Sequence, residues 1–101
     1  MLLSATDEPE SVTLSVSISS NRVCAQNMVK FTCKAGAAEP DVKRYTLYQN
    51  DAEIASMSGS GVFTLWLNTS GQFIHWCVAN NSLGTGTSNN ITLIVEGKFD
   101  I

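Results

Sequence analysis

Three cysteines and a single histidine are the residues of this 101-residue chain best suited to bind a metal ion or attack a substrate. Zinc sites usually take cysteines in C-x-x-C pairs, and Cys24, Cys33 and Cys77 form no such pair. A Cys–His or Ser–His nucleophile needs an accessible imidazole, whereas His75 falls on the same inward side of an apolar run as Cys77. No HExxH, P-loop or GxGxxG motif occurs. The sequence therefore predicts a protein that is not an enzyme, with no catalytic residue, no metal site and no cofactor.

The hydrophobic pattern along the chain has a period of two. Apolar and polar residues alternate through six runs, at 11–19, 29–35, 44–49, 62–67, 72–80 and 91–95. Such alternation is typical of half-buried strands, and turn residues separate the runs at intervals of roughly 8–12 residues. No window carries a helical stripe. We therefore predict an all-β protein of about seven short antiparallel strands, arranged as a two-sheet sandwich or a small barrel.

Two of the cysteines distinguish between these architectures. Cys33 and Cys77 both lie in the middle of a run on its inward side, 44 positions apart. This placement predicts a disulfide between the two sheets of a sandwich, worth about 4 kcal/mol in the chain-entropy treatment. Cys24 is left over, and we expect it to be a half-buried free thiol. The alternatives are a bond to another chain or to a neighbouring domain.

The cysteine motifs resemble those of the immunoglobulin superfamily. The run VKFTC at 29–33 is similar to strand B of that family, and TLYQNDAEI at 46–54 to its strand C segment. The Cys-x-Ala-x-Asn-x-x-Gly motif of strand F and its hairpin, typical of the I-set group, is present at Cys77, Ala79, Asn81 and Gly84. The resemblance covers roughly residues 12–95. It implies an I-set or C2-like domain, a two-sheet antiparallel sandwich, of a cell-surface adhesion or recognition receptor.

The chain departs from the family at three places. Leu47 stands where the family has its core tryptophan, and His75 stands where it has its corner tyrosine. Gly71 stands six residues before Cys77, whereas the family has its corner glycine four residues before that cysteine. The segment between strands C and E leaves room for one C′ or D strand only, which matches the short I-set or C2-like type. We therefore expect aliphatic packing against the disulfide, no normal tyrosine corner and a tight connection between strands E and F.

The predicted domain occupies residues 12–95. We expect a flexible segment at 1–11 and a linker remnant at 96–101, so the chain would be a piece of a longer protein with neighbouring domains. The net charge of −3 argues against a nucleic-acid partner, since phosphates are neutralised by lysine and arginine. No apolar run approaches the ~18–20 residues of a spanning helix, so we expect no direct membrane insertion by this segment.

Three Asn-x-Ser/Thr sequons begin at Asn68, Asn80 and Asn90. All three should lie at strand ends or on outward faces, where a glycan is tolerated. Together with the predicted disulfide, these glycosylation sites favour an extracellular or cell-surface location.

One outward sheet face stands out as a candidate binding surface. If strands C, F and G pair as the resemblance implies, five apolar or aromatic residues share it, namely Tyr48, Ile74, Trp76, Val78 and Ile94. An exposed tryptophan among aliphatic side chains predicts a partner, because aromatic anchors dominate interface energetics. The expected partner is a protein ligand or a second copy of the domain.

The sequence therefore predicts an extracellular immunoglobulin-like binding module of a larger adhesion or recognition receptor, acting by non-covalent protein–protein recognition. Two alternatives remain open at this point. One is an I-set structural spacer of an intracellular giant protein, with reduced cysteines and unused sequons. The other is a soluble immune-type recognition protein that binds through its loops.

Overall fold

The computed structural model describes residues 7–97 and contains β-strands and connecting segments. Its strands, in chain order, are β1 (Asp7–Glu10), β2 (Thr13–Val16), β3 (Arg22–Cys24), β4 (Asn27–Lys34), β5 (Ala37–Glu39), β6 (Arg44–Gln49), β7 (Ala52–Met57), β8 (Val62–Leu67), β9 (Gly71–Asn81), β10 (Gly84–Thr87) and β11 (Ile91–Glu96). The prediction of an all-β fold is confirmed.

Two sheets make up the sandwich. Strands β2, β4 and β8 form one sheet. Strands β3, β11, β9, β6 and β7 form the other in that order, and β10 also pairs with β9. All these pairings are antiparallel except that of β3 with β11, which is parallel. The short segment between the predicted strands C and E was expected to hold either a C′ or a D strand, and it forms β7. Because β7 pairs with β6, it belongs to the second sheet, which is the position of a C′ strand.

The core lies between the inward faces that the alternation predicts. In β4, Val29, Phe31 and Cys33 are buried while the two lysines of the strand are exposed. The predicted disulfide is present, with Sγ of Cys33 and of Cys77 2.01 Å apart. Leu47 on β6 is fully buried and lies directly opposite Cys77 on β9. This confirms that an aliphatic side chain packs against the disulfide at the position where the family has its tryptophan.

The N-terminal strand corrects the predicted domain limits. Residues 7–10 were expected to be part of a flexible segment, but they form β1, which pairs with β5. This strand also passes over the β9–β10 hairpin, where a Cβ on Gly86 would overlap the carbonyl oxygen of Pro9. The sequence DEPE has no apolar alternation, so its pairing could not be seen from the pattern. Residues 1–6 of the predicted flexible segment and residues 98–101 of the predicted linker lie outside the described residues.

His75 replaces the corner tyrosine and is fully buried. The Gln49 amide nitrogen lies 3.1 Å from Nε2 of His75. The centroids of the Phe31 and His75 rings are 4.6 Å apart. Within residues 7–97, Nδ1 has no partner of normal hydrogen-bond geometry. Burial lowers the pKa of His75 below its ordinary value of 6.5, and backbone groups of Ile91 and Phe73 oppose this only in part. The histidine is thus a neutral core residue. The connection before its strand is as short as predicted, residues 68–70.

Candidate recognition surface

Strand β9 forms the centre of the candidate surface. It lies between β6 on one side and β11 and β10 on the other. Its residues alternate strictly, so His75, Cys77 and Ala79 are buried while the residues between them face outward. An eleven-residue strand with this alternation presents a long outward row, because successive side chains of a strand point to opposite faces.

An aromatic pair dominates the outward row. Tyr48 of β6 lies directly opposite Trp76 of β9, and their rings stack with centroids 5.5 Å apart and an interplanar angle of 6°. Both side chains are half-buried by their neighbours on the sheet and retain exposed surface. Stacking holds each ring in one orientation, so the pair forms a rigid flat apolar surface rather than two mobile side chains.

The other three predicted residues lie on the same face. Val78 is opposite Thr46 on β6 and Thr87 on β10. Ile74, with 37% of its surface exposed, is opposite Thr92. Ile94 is opposite Gln72, which places it diagonally next to Ile74. We call the resulting surface the recognition face, defined by Tyr48, Ile74, Trp76, Val78 and Ile94.

Polar and charged side chains surround the recognition face. Threonines on β6, β10 and β11 face its apolar row. On the β3 edge, Arg22 and Glu96 form an ion pair of 2.5 Å between exposed side chains. On the β7 side, the Arg44 guanidinium donates to the Ser56 hydroxyl. An apolar centre with a polar margin is the usual anatomy of a protein–protein interface.

Cys24 lies at the edge of the same sheet. It ends β3, where its register partner is Glu96, and its thiol is free within this chain. The prediction of a half-buried thiol is wrong, since Cys24 is exposed. The reason is that β3 is an edge strand whose middle residue, Val23, is the one turned toward the core.

The three sequons fall at different places on the sandwich. Asn80 is half-buried on β9, two residues beyond Val78 and opposite Arg44. Asn90 is exposed and immediately precedes β11. Asn68 is exposed and follows β8, on the other sheet. Glycans on Asn80 or Asn90 would therefore stand next to the recognition face, and a glycan on Asn68 would not.

Three further exposed apolar residues were not predicted as surface features. Met28 is 59% exposed opposite Trp66 on the other sheet, Leu83 is 48% exposed in the β9–β10 turn, and Ile54 is 38% exposed where β7 bulges against β6. The signal that could have indicated Leu83 is that it is the one large apolar residue of a polar turn. Met28 and Ile54 depend on strand register, which the sequence pattern does not specify.

Within the described part of the chain, no group of three or more His, Cys, Asp or Glu side chains could hold a metal ion. The same residues include no helix with the length and apolarity needed to cross a membrane.

No protein-family model and no curated protein matches the sequence. Solved structures share its fold. The fibronectin(III)-like modules of Clostridium thermocellum CbhA align with a TM-score of 0.75 and 17% identity, over 89% of this chain and 99% of that chain. The PKD domain of the human VPS10 domain-containing receptor SorCS2 aligns with a TM-score of 0.73 and 15% identity, over 100% of this chain and 85% of that one.

The tandem Ig repeats of Dlar are also similar, with a TM-score of 0.61 and 25% identity over 92% of this chain. The alignment spans about half of the Dlar fragment, 47% of that chain. These likenesses agree with the immunoglobulin-type packing of the two sheets around Cys33 and Cys77. The chain thus has the immunoglobulin-like and fibronectin III type of sandwich fold.

Proposed function

We propose that this domain is an extracellular binding module of a larger adhesion or recognition receptor. It binds a protein partner non-covalently through the recognition face, and a second copy of the domain is the first partner to test. The observation that carries the proposal is the stacked Tyr48–Trp76 pair at the centre of an open sheet face.

The aromatic pair is well suited to anchor a partner. A tryptophan already fixed by stacking loses little side-chain freedom when a partner covers it, so more of the contact energy remains for affinity. Interfaces concentrate their binding energy in such central aromatic residues, with aliphatic neighbours that exclude water. Ile74 and Val78 flank Trp76 along β9 and take that position here.

The Cys33–Cys77 bond supports a location outside the cytosol. Disulfides form and persist in secreted and cell-surface proteins, whereas cytosolic reductants keep thiols reduced. In an intracellular spacer domain, Cys33 and Cys77 would stay reduced. The bond therefore favours the receptor module over the spacer alternative.

Loop-mediated recognition is a second candidate, and Leu83 is the observation that favours it. This residue is 48% exposed in the turn between β9 and β10. The Asn81 side-chain oxygen accepts hydrogen bonds from the backbone N–H groups of Leu83 and Gly84, at 2.9 and 3.1 Å, and so fixes the shape of the turn. A rigid turn with one apolar side chain is a small binding element in its own right.

A bead-aggregation assay with matched tryptophan variants tests the proposal. Beads coated with the secreted domain should cluster, and Trp76→Ala should abolish clustering. Trp66→Ala is the matched control, because Trp66 is also an outward tryptophan but lies on the opposite sheet. Leu83→Ala separates the two candidates. If clustering survives Trp76→Ala but is lost with Leu83→Ala, the binding site is the β9–β10 turn and not the recognition face. If the unmodified domain does not cluster, self-recognition is refuted.

A further inference from the structure

The sheet opposite the recognition face carries its own apolar pair. Met28 on β4 and Trp66 on β8 are direct register partners, and they are 59% and 55% exposed. A tryptophan and a methionine side by side on an outward face form a contiguous apolar patch. The neighbouring outward pair, Lys30 and Thr64, is polar. The patch is therefore confined to the end of the sheet at which β8 leaves toward β9.

A glycosylation sequon begins two residues after Trp66. Residues 66, 67 and 68 are exposed, buried and exposed in turn, so Asn68 follows Trp66 on the outward side. In an extended chain two residues span about 6.6 Å, a distance that a sugar attached to the amide can cover. Trp66 and Asn68 also line the same depression of about 180 Å³, together with Gln49, Leu67, Thr69 and Phe73.

The Asn68 amide is free to carry a sugar. Its Oδ1 accepts a hydrogen bond from the Thr69 hydroxyl at 3.3 Å. Its Nδ2, the atom to which a glycan is joined, has no hydrogen-bond partner among residues 7–97. Attachment there would thus break no contact of the folded domain. Asn80 differs, since it is half-buried within the paired part of β9.

We infer that Asn68 carries an N-linked glycan and that its first N-acetylglucosamine packs on the indole face of Trp66. The axial C–H groups of a pyranose form an apolar surface that matches the electron-rich face of an aromatic ring. The glycan thereby covers the Trp66–Met28 patch from within the same chain. The inference rests on the extracellular location given in the proposed function, and it leaves the recognition face on the other sheet open.

The covalent step uses a lipid diphosphate-linked oligosaccharide as the sugar donor. The Asn68 Nδ2 bonds to the anomeric carbon of the terminal N-acetylglucosamine, and the bond from that carbon to the diphosphate oxygen breaks. The lipid diphosphate leaves with the electron pair, and the amide nitrogen loses one proton.

A double-mutant cycle tests the packing. The domain is secreted from eukaryotic cells, glycans are trimmed to the first sugar, and site occupancy is read from glycopeptide masses. We expect Asn68 to be occupied, and Asn68→Gln and Trp66→Ala each to lower Tm by about 2–6 °C. The double variant should be no less stable than either single variant, because both remove the same contact. Trp66→Phe retains an aromatic face and should retain part of the coupling. Asn90→Gln combined with Trp66→Ala is the matched control, for which we expect additive effects.

Several results would overturn the inference. An empty Asn68 beside an occupied Asn80 or Asn90 would refute it while leaving the extracellular location standing. Three empty sequons would refute the inference and remove support for that location as well. Occupied Asn68 with additive effects of Asn68→Gln and Trp66→Ala would show that the sugar does not pack on the indole. None of these results depends on the bead assay, which tests the recognition face separately.

Discussion

Removal of the Cys33–Cys77 bond is the perturbation whose size follows most directly from the structure. The bond closes a loop of 44 residues between the two sheets. In the chain-entropy treatment, closing a loop of n residues changes the entropy of the unfolded chain by about −2.1 − 1.5R ln n cal/mol/K. For a loop of this length, the bond therefore stabilises the folded state by about 4 kcal/mol at 25 °C. A domain of this size has about 5–15 kcal/mol of unfolding free energy, so the loss is a large fraction of the total. Tm should fall on the order of 20 °C.

The assay is guanidinium unfolding of the oxidised protein, the reduced protein and the Cys33→Ala/Cys77→Ala variant. Reduction and the double substitution should each lower the free energy of unfolding by about 4 kcal/mol. Cys24→Ser is the control, and it should be neutral because Cys24 is exposed and unbonded within the chain. A loss under about 1 kcal/mol in both the reduced and the substituted protein would refute the loop-closure reasoning. A loss in Cys24→Ser as large as in the double variant would refute the assigned pairing.

Three further predictions concern the core and the N-terminal strand. Burial lowers the pKa of His75, so the unfolded chain takes up a proton near pH 6.5 before the folded chain does. Stability should be constant above that pH and fall below it by up to about 1.4 kcal/mol per unit, and urea unfolding of His75→Gln should lack this slope. Leu47→Ala should cost about 2–5 kcal/mol, since Leu47 is fully buried beside Cys77, and an effect near zero in denaturant unfolding would contradict that packing. Gly86→Ala should displace β1, lower the free energy of unfolding by about 1–3 kcal/mol and speed amide hydrogen exchange in residues 7–10. Unchanged exchange would show that β1 does not depend on this contact.

The inward residues were predictable because alternation is a local signal. A strand buried on one face must place apolar side chains at every second position, and a slip of one residue would expose them all. Phe31, Leu47 and Cys77 follow from this rule alone, and each is buried as expected. The disulfide followed in turn, because its two cysteines were placed on inward faces of different runs.

Other features depend on contacts between distant segments, which local pattern does not encode. The strand β1 has no apolar period, and its order comes from its pairing with β5 and its close approach to the β9–β10 hairpin. The stacking of Tyr48 on Trp76 requires a particular register between β6 and β9. The side of the sheet was predictable for both rings, but their direct opposition was not. The same holds for Met28 and Trp66, whose pairing follows from the register of β4 with β8.

The resemblance to the immunoglobulin superfamily indicated the right type of fold. The solved structures show the sandwich itself, and the finer I-set or C2-like assignment stays a prediction. Leu47 and His75 mark the difference, because they replace two aromatic residues of that family by an aliphatic side chain and a buried neutral imidazole. Partner identity lies in the surface residues and not in the fold.

The most direct test of the recognition face is a dilution series of the isotope-labelled domain followed by NMR. If the face mediates self-recognition, concentration-dependent shifts should concentrate on β6, β9 and β11, with the Trp76 indole N–H among the largest. The Trp66 indole N–H on the opposite sheet should stay fixed. Shifts centred on Leu83 and the β9–β10 turn, or on the sheet of β2, β4 and β8, would contradict the account.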